Sequence, residues 1–478
     1  MTLDYDVCYR AIRSRDSRFD GRFFTAVRTT GIYCRPVCPA RTPRKENVDF
    51  FSEPAAAEEA GFRPCLRCRP EVAPSTPAWA GSSAVVGRAL RLIAEGALDR
   101  AGINELARRL GVGARQLRRL FIAHVGTTPI AVAQTRRVHF ARTLIESTRL
   151  PMIDVALGSG FSSVRRFNVA MQQTYGRTPS EIRVRQPASA SSEQSVELKL
   201  TYRPPFSWNT LAAFLASRAI PGVEIVGGNY YSRTIRSGSD HGVVSVRYLP
   251  ATSHLILSAP SQFGNSIRTI ANRARALFDL GADLEVISEQ LRRDPLLASL
   301  IDANPGVRIP GAWDPFELSV RAIVGQQVSV KGASTIMGRI ANRYGERIEG
   351  ADDRFFLLFP RPEVLADAVI EGMPSSRARA IRGLARVVAD GTLRLESGSS
   401  LEETIEKLVS LPGIGPWTAH YIAMRTLGEP DAFPHNDLGL RKAAGAGITI
   451  SGAELLSRAE AWRPWRGYAA MLLWSSLP

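Results

Sequence analysis

No uncharged run of eighteen or more apolar residues occurs anywhere in the chain, so no membrane-spanning helix is expected. The first residues, MTLDYDVCYRAIRSRDSRFD, are too charged for a secretory signal peptide. Acidic residues are in deficit: 45 Asp and Glu face 61 Lys and Arg, a formal charge of +16. An excess of that sign suits a chain that meets phosphates. Lysine is missing altogether between residues 84 and 186, where 17 arginines stand against six acids. Cysteine is scarce as well, with five in 478 residues. The length fits three or four domains at roughly 150 residues each, and a 45% hydrophobic content supplies several cores.

Four of the five cysteines form two tight pairs, Cys34 and Cys38 in IYCRPVCPAR, then Cys65 and Cys68 in FRPCLRCRP. Two pairs at such spacing can close a tetrahedral zinc site with Zn–S near ~2.3 Å. Buried free thiols, two disulfides or a closed structural zinc would also account for them. A zinc-bound sulfur has a further use, because the metal keeps it a thiolate, and thiolates are nucleophiles. Reduced thiols of this kind point to the cytoplasm. Cys8, in YDVCYRAI, lies outside both pairs and reads as a packed core thiol.

The stretch FDGRFFTAVRTTGIYCRPVCPARTPRKENVDFF, followed by AEEAGFRPCLRCRP, closely resembles the N-terminal domain of the Ada adaptive-response family over residues 3–72. That resemblance implies zinc on Cys34, Cys38, Cys65 and Cys68. It also implies irreversible transfer of a methyl group from a DNA methylphosphotriester to Cys34, the first of the four. Spacing alone does not select Cys34. Members of that family often carry an O6-alkylguanine repair domain with a Pro-Cys-His-Arg motif; no cysteine here sits in one, so that activity is not expected.

VAPSTPAWAGSS, residues 72–83, has linker composition, and apolar residues at Val86, Leu90 and Ile93 then begin a helix. Two helix-turn-helix patterns follow. In INELARRLGVGARQLRRLFIAHVG, Ile103, Leu106, Ala107 and Leu110 share a face, Gly111–Gly113 turn, and Leu117, Leu120 and Phe121 face inward. Arg115, Gln116, Arg118 and Arg119 are left outside. In MIDVALGSGFSSVRRFNVAMQQTYGRTP the turn is Gly158–Gly160, with Ser162 as N-cap. Phe167 and Met171 face in, while Arg165, Arg166 and Asn168 face out. A plain helical bundle would explain the apolar spacing equally well. Charge decides for DNA, since residues 84–186 carry a net +11 and arginine's planar fork matches phosphates and guanine edges. The pair of units ending in YGRTPSEIR closely resembles an AraC-type DNA-binding domain, which implies two recognition helices.

After a second linker at 186–194, LKLTYRPPF, GVVSVRYL and SHLILSAP read as strands of a small sheet within 196–260. SIRTIANRARALFDL returns to helical spacing, and from about 285 nearly everything reads helical, including DPFELSVRAIVGQQVSVKGASTIMGRI and SRARAIRGLARVVAD. Leu411-Pro412-Gly413-Ile414-Gly415 reads as a hairpin between helices, its glycines bringing N–H groups up to a phosphate at a helix N-terminus. Trp417 and Tyr421 follow one helical turn apart, then Asp437. Read locally, Asp437 is also a good N-cap for LGLRKA, and the aromatics also suit a core.

From residue 196 to the end this order resembles the AlkA-type helix-hairpin-helix 3-methyladenine DNA glycosylases, with YRPPFSW, GQQVSV and RPWRGYAAMLLW as further matching stretches. The resemblance implies Asp437 as catalytic carboxylate and Trp417, Tyr421 and Trp474 as the lining of an alkylated-base pocket, with Phe214 closing it from the sheet side. Gly413 and Gly415 would grip the backbone. Gln327 falls where that family inserts an apolar wedge, a departure that leaves the wedge open, and Leu438 replaces an aromatic. Helix-hairpin-helix enzymes that also nick DNA carry lysine where Trp417 stands, so base removal without lyase chemistry is expected. His420 and His435 read as surface or hairpin residues without a catalytic role.

The expected architecture is multidomain α+β. It comprises a small zinc-bound α/β domain (1–72), an all-α double helix-turn-helix domain (84–186), a small sheet-containing α+β domain (196–284) and a mainly α helix-hairpin-helix domain (285–478). The expected cofactor is zinc. The expected partners are alkylated and promoter double-stranded DNA and RNA polymerase, met by a monomer in the cytoplasm.

Overall fold

The computed structural model describes residues 4–73, 84–184, 195–348, 354–395, 400–445 and 448–477. Most of both expected linkers lies outside the described residues. The chain divides into two compact units, Met1–Arg203 with Ala251–Asn272, and Pro204–Pro250 with Arg273–Pro478.

The first unit begins with α1 (Tyr5–Ser14), whose N-cap Asp4 accepts from Val7 N–H. Its face of Cys8, Ala11 and Ile12 packs with Phe23, so Cys8 is the core thiol its sequence suggested; burial pushes it up to about 12. Strands β1 (Phe24–Val27), β2 (Ile32–Cys34) and β3 (Val48–Phe51) are joined after α2 (Pro54–Glu59) by β4 (Arg63–Pro64). The sheet order is β3-β1-β2-β4, with β4 parallel to β2. Phe24, Ala26, Tyr33 and Ala57 form the core between that sheet and α2.

Helices α3 (Ala84–Ala94), α4 (Ala97–Arg100), α5 (Ile103–Arg109), α6 (Ala114–Val125), α7 (Pro129–Ser147), α8 (Met152–Gly158), α9 (Val164–Tyr175) and α10 (Pro179–Val184) follow. Val86, Leu90, Ile93, Leu106, Ala107, Leu110, Leu117 and Phe121 are buried in one cluster, with Ile103 and Leu120 half-buried at its edge. In the second pair Phe167 and Met171 are fully buried. The cap of α9 is not Ser162, which is exposed. It is Ser163, whose extended backbone lets Oγ accept from Arg166 N–H at 3.3 Å. β5 (Ser195–Thr201) closes the stretch.

The second unit opens with α11 (Trp208–Ala216), a helix inside the span read as strands, then the antiparallel meander β6 (Glu224–Val226), β7 (Tyr230–Ser237), β8 (Asp240–Tyr248). The chain returns to the first unit for β9 (His254–Pro260), antiparallel to β5 over seven residue pairs. Helices then dominate, as expected: α12 (Ile267–Leu277), α13 (Leu284–Leu291), α14 (Pro295–Ala303), α15 (Pro315–Val324) and α16 (Val330–Tyr344), interrupted by the two-residue ladder of β10 (Glu346–Arg347) and β11 (Leu357–Leu358). α17 (Pro362–Leu365), α18 (Ser375–Ala389), α19 (Leu401–Val409), α20 (Pro416–Thr426), α21 (Leu438–Ala444), α22 (Gly452–Ala459) and α23 (Arg466–Ser475) complete it. The helical stretch DPFELS…GRI breaks between α15 and α16. There Gln327 takes φ +55°, a left-handed conformation that ends a helix.

Candidate metal centre, DNA-facing helices and aromatic pocket

The parallel register Tyr33↔Pro64 sets the end of β2 beside the end of β4, and Cys65 N–H donates to Tyr33 O at 2.9 Å. Each pair then closes its own turn, through Cys38 N–H to Arg35 O at 3.1 Å and Arg69 N–H to Cys65 O at 3.1 Å. The four sulfurs lie within 4.8 Å of one another. Four sulfurs at ~2.3 Å around zinc form a tetrahedron with edges of about 3.8 Å, so the cluster fits zinc with little movement. Arg35 braces it: its N–H donates to Cys68 Sγ at 3.3 Å, its Nη1 to Cys68 O at 3.3 Å, and its Nε to Asp20 at 2.8 Å. Cys65 and Cys68 are buried, whereas Cys34 and Cys38 are half-buried.

Behind the cluster lies a polar network that no sequence motif signalled. Tyr33, fully buried beside Cys34, donates to Glu58 at 2.8 Å and meets His139 Nε2 at 3.1 Å. His139 Nε2 is also 3.0 Å from Glu58, and Thr135 Oγ1 donates to the other Glu58 oxygen at 2.6 Å. Burial alone would raise the Glu58 carboxyl, but His139, Thr135 and Tyr33 together hold it low. The cysteine-bearing sheet and α7 thus share one half-buried acid, Glu58 of α2.

On α6, Arg115, Gln116, Arg118 and Arg119 are exposed, and on α9 Arg165, Arg166 and Asn168 are exposed. The buried positions at i, i+4 (Leu117 and Phe121; Phe167 and Met171) fix which side of each helix faces the core and leave these side chains on the other.

In the second unit the hairpin between α19 and α20 forms as read. Gly413 holds φ +88°, and Gly415 is the N-cap of α20 with Pro416 at its first position. Ile414 plugs the turn while Gly413 is exposed. Gln326 Nε2 donates to Gly413 O at 3.0 Å and Thr418 Oγ1 at 2.9 Å, pinning the Gln327 loop to the hairpin. Gln327 itself is exposed.

Trp417 and Tyr421 stack at 5.4 Å and 9°, and Trp474 meets Tyr421 edge-on at 6.2 Å. Asp437 is indeed the N-cap of α21, its Oδ1 accepting from Leu440 N–H at 2.9 Å. The same carboxylate accepts from both indoles, Trp417 Nε1 to Oδ2 at 2.8 Å and Trp474 Nε1 to Oδ1 at 3.0 Å. The N-cap and the acceptor of both indole N–H groups are one residue. Phe214 lies on helix α11 and joins the group through Arg425, whose guanidinium sits 4.8 Å from its ring and 5.4 Å from that of Tyr421. Arg425 and Gln326 are contributors the sequence did not single out. Leu438 is exposed. His420 is half-buried on α20, where it accepts from Phe433 N–H at 3.3 Å. Burial, with His435 and Arg466, pushes it down to about 4.

A four-cysteine metal centre, a double helix-turn-helix and a helix-hairpin-helix unit with a carboxylate among aromatics define the class: a multidomain DNA repair and regulatory protein. The described helices include none long and apolar enough to cross a membrane. Comparison with known families agrees. The metal-binding domain of Ada matches residues 7–71, a helix-turn-helix domain matches 106–185, and the AlkA N-terminal domain matches 197–314. Over 99% of its length the chain is 44% identical to the probable bifunctional transcriptional activator/DNA repair enzyme AlkA of Mycobacterium tuberculosis, covering 97% of that protein. It is 37% identical to DNA-3-methyladenine glycosylase 2 of Escherichia coli K12, over 58% of this chain and 95% of that one. It is 33% identical to the bifunctional transcriptional activator/DNA repair enzyme Ada of the same strain, over 38% of this chain and 49% of that one. The chain belongs to the family of bifunctional transcriptional activator/DNA repair enzymes AlkA.

Proposed function

We propose that this chain joins a methyl-accepting sensor, a transcriptional regulator and a monofunctional 3-methyladenine-type DNA glycosylase, carried by residues 1–72, 84–186 and 196–478. The glycosylase part is divided near residue 284 into sheet-containing and helix-hairpin-helix portions. The observation that carries the enzymatic reading is the Asp437 carboxylate held by two indole N–H groups beside the stacked faces of Trp417 and Tyr421. A purine alkylated on its ring is cationic, so electron-rich aromatic faces hold it once it is flipped from the duplex. The N-glycosidic bond then breaks with its electron pair going to the base, and positive charge appears on the sugar. Asp437 stabilises that charge and orients the water whose oxygen bonds C1′ and whose proton is released. Gly413 and Gly415 hold the backbone beside the lesion, and Gln327, on the loop pinned by Gln326, occupies the gap left by the flipped base.

At the other end, Cys34 attacks the methyl carbon of a methylphosphotriester. An S–CH3 bond forms, the O–CH3 bond breaks, and a phosphodiester anion leaves. Zinc, when bound by Cys34, Cys38, Cys65 and Cys68, keeps the thiolates deprotonated. Four thiolates on the metal carry a formal −2, which repels an ordinary phosphodiester and tolerates the neutral triester. Methylation removes one of those charges and favours DNA, while Arg115, Gln116, Arg165 and Arg166 engage a promoter and RNA polymerase is recruited. One preparation tests the reading. Full-length protein incubated with methylated duplex DNA should release free alkylated base catalytically and gain a single methyl on Cys34 by peptide mass spectrometry. No released base would leave only a damage-recognising regulator, and a methyl on another cysteine would remove Cys34 as acceptor.

A further inference from the structure

The aromatic cluster has charge on two sides. On one side is the Asp437 carboxylate. On the other, one helical turn beyond Tyr421, is Arg425, buried to 3% exposure. Its Nη1 donates to Tyr421 Oη at 2.6 Å, its Nη2 to Gly311 O at 3.2 Å, and its Nε to Pro310 O. All of these partners are neutral. Two more guanidinium groups converge there. Arg218 covers the Phe214 ring at 3.7 Å, with its Nη1 on Phe214 O and Ser217 Oγ. Arg321 is buried, and its nearest acid is Glu224 at 3.8 Å. Burial would raise the Tyr421 phenol, yet Arg425, Arg218 and Arg321 together hold it below its ordinary value. Burial pushes Arg425 down to about 10, which leaves it charged at neutral pH.

A site for cationic bases with buried cations beside its aromatic rings looks ill-matched for binding. It is well matched for departure. We propose that Arg425, supported by Arg218 and Arg321, sets the rate of base release by opposing positive charge on the base side of the site while Asp437 attracts it on the sugar side. This inference rests on the glycosylase reading above. In the bound state an alkylated purine carries its charge among the arginines. As the N-glycosidic bond breaks, the electron pair moves onto the base and the positive charge moves to the sugar, beside Asp437. The arginines therefore disfavour the ground state relative to the transition state, the kind of differential interaction that accelerates a reaction without tightening binding. An uncharged base, which gains negative charge as it leaves, is assisted by the same groups. Arg425 acts through space and through the orientation of Tyr421, so it is a positioning and electrostatic residue rather than a catalytic one.

The test is single-turnover base release by the full-length protein from duplexes carrying one 7-methylguanine, which is cationic, or one hypoxanthine, which is neutral. Equilibrium binding to the same duplexes is measured beside it. Arg425→Met should slow release from both by about tenfold or more, less than the ~10²-fold or more of a donor that touches the reacting atoms, with binding to the cationic duplex unchanged or tighter. Arg425→Lys, keeping the charge, should recover most of the rate. Arg218→Gln, at a half-buried position, should shift rate and binding in the same directions by a smaller factor and covers the case in which Arg425→Met does not fold. Wild-type release rates in Arg218→Gln and Arg425→Met would overturn the inference. So would parallel loss of rate and binding in Arg425→Met and Arg425→Lys alike, the mark of a purely structural role. A wild-type chain that releases no base sinks the glycosylase reading and this inference with it, an outcome distinct from altered variant rates on an active parent.

Discussion

Asp437 has three N–H donors aimed at two oxygens: Leu440 and Trp474 at Oδ1, Trp417 at Oδ2. An asparagine there has one acceptor oxygen, so whichever way it turns, its amide N–H2 faces at least one indole or backbone N–H. Asp437→Asn should therefore do two things. Base release should fall by ~10²-fold or more, the scale of a lost electrostatic stabiliser. Stability of the second unit should fall by about 1 kcal/mol, the low end of the penalty for an unpaired donor because these groups are half-buried. Denaturant unfolding beside the release assay separates the two effects. Asp279 makes the opposite case. Its carboxylate, buried, accepts from Tyr468 Oη at 2.8 Å and Ile309 N–H at 3.3 Å, and burial outweighs Arg308 to push it up to about 6 from 3.8. An acid whose folded value is raised stabilises the fold fully below 3.8 and loses that contribution as pH rises through about 6. Asp279→Asn, tolerated at φ +49° because asparagine accepts the left-handed region, removes the ionisation. The variant should gain on the wild type between pH 4 and 7, by at most about 3 kcal/mol, and the difference should level off above. Unfolding free energies at a series of pH values check the direction.

The hairpin shows how much one element asks of one residue. Gly413 is left-handed, and a Cβ there would lie 2.6 Å from Ala380 Cβ on α18. Gly413→Ala should cost at least about 2 kcal/mol from the backbone and the overlap together. The shift should also carry the Gln326 contacts with it, slowing base release and weakening binding to damaged duplex. Gly415 has no atom within 4 Å of an added Cβ and an ordinary extended backbone. Gly415→Ala should therefore be much milder, and the contrast between the two in thermal unfolding and DNA binding is the check. Both glycines were visible as a turn signal; which one is sterically required was not, because that depends on the neighbouring helix. The cap of α9 repeats the lesson. SSV offers two serines, and the packing of Phe167 sets the helix phase that makes Ser163 the cap and leaves Ser162 outside.

At the scale of the molecule, the N-terminal sheet with α1 and α2 has two small apolar clusters of four buried residues each, too little to stand firmly without the metal. Strong chelation under reducing conditions should expose Cys65 and Cys68 to thiol reagents. The loss should also pass through Tyr33 and Glu58 to α7, so amide exchange across 129–147 should quicken together with that of 24–64. Unchanged exchange in α7 would show that the shared acid does not couple them. The sequence by itself determined the cysteine pairs, the arginine faces of α6 and α9, the turn at 411–415 and the pairing of Trp417 with Tyr421, because each is a local spacing that a strand, turn or helix converts directly into geometry. Only the tertiary structure decided that Asp437 serves two indoles 20 and 37 residues away, that Phe214 sits on a helix and meets Tyr421 through Arg425, and that Glu58 joins Tyr33 to His139. Those partners are chosen by packing between elements distant in the chain, and no periodicity along the sequence records which buried polar groups will be left to satisfy one another.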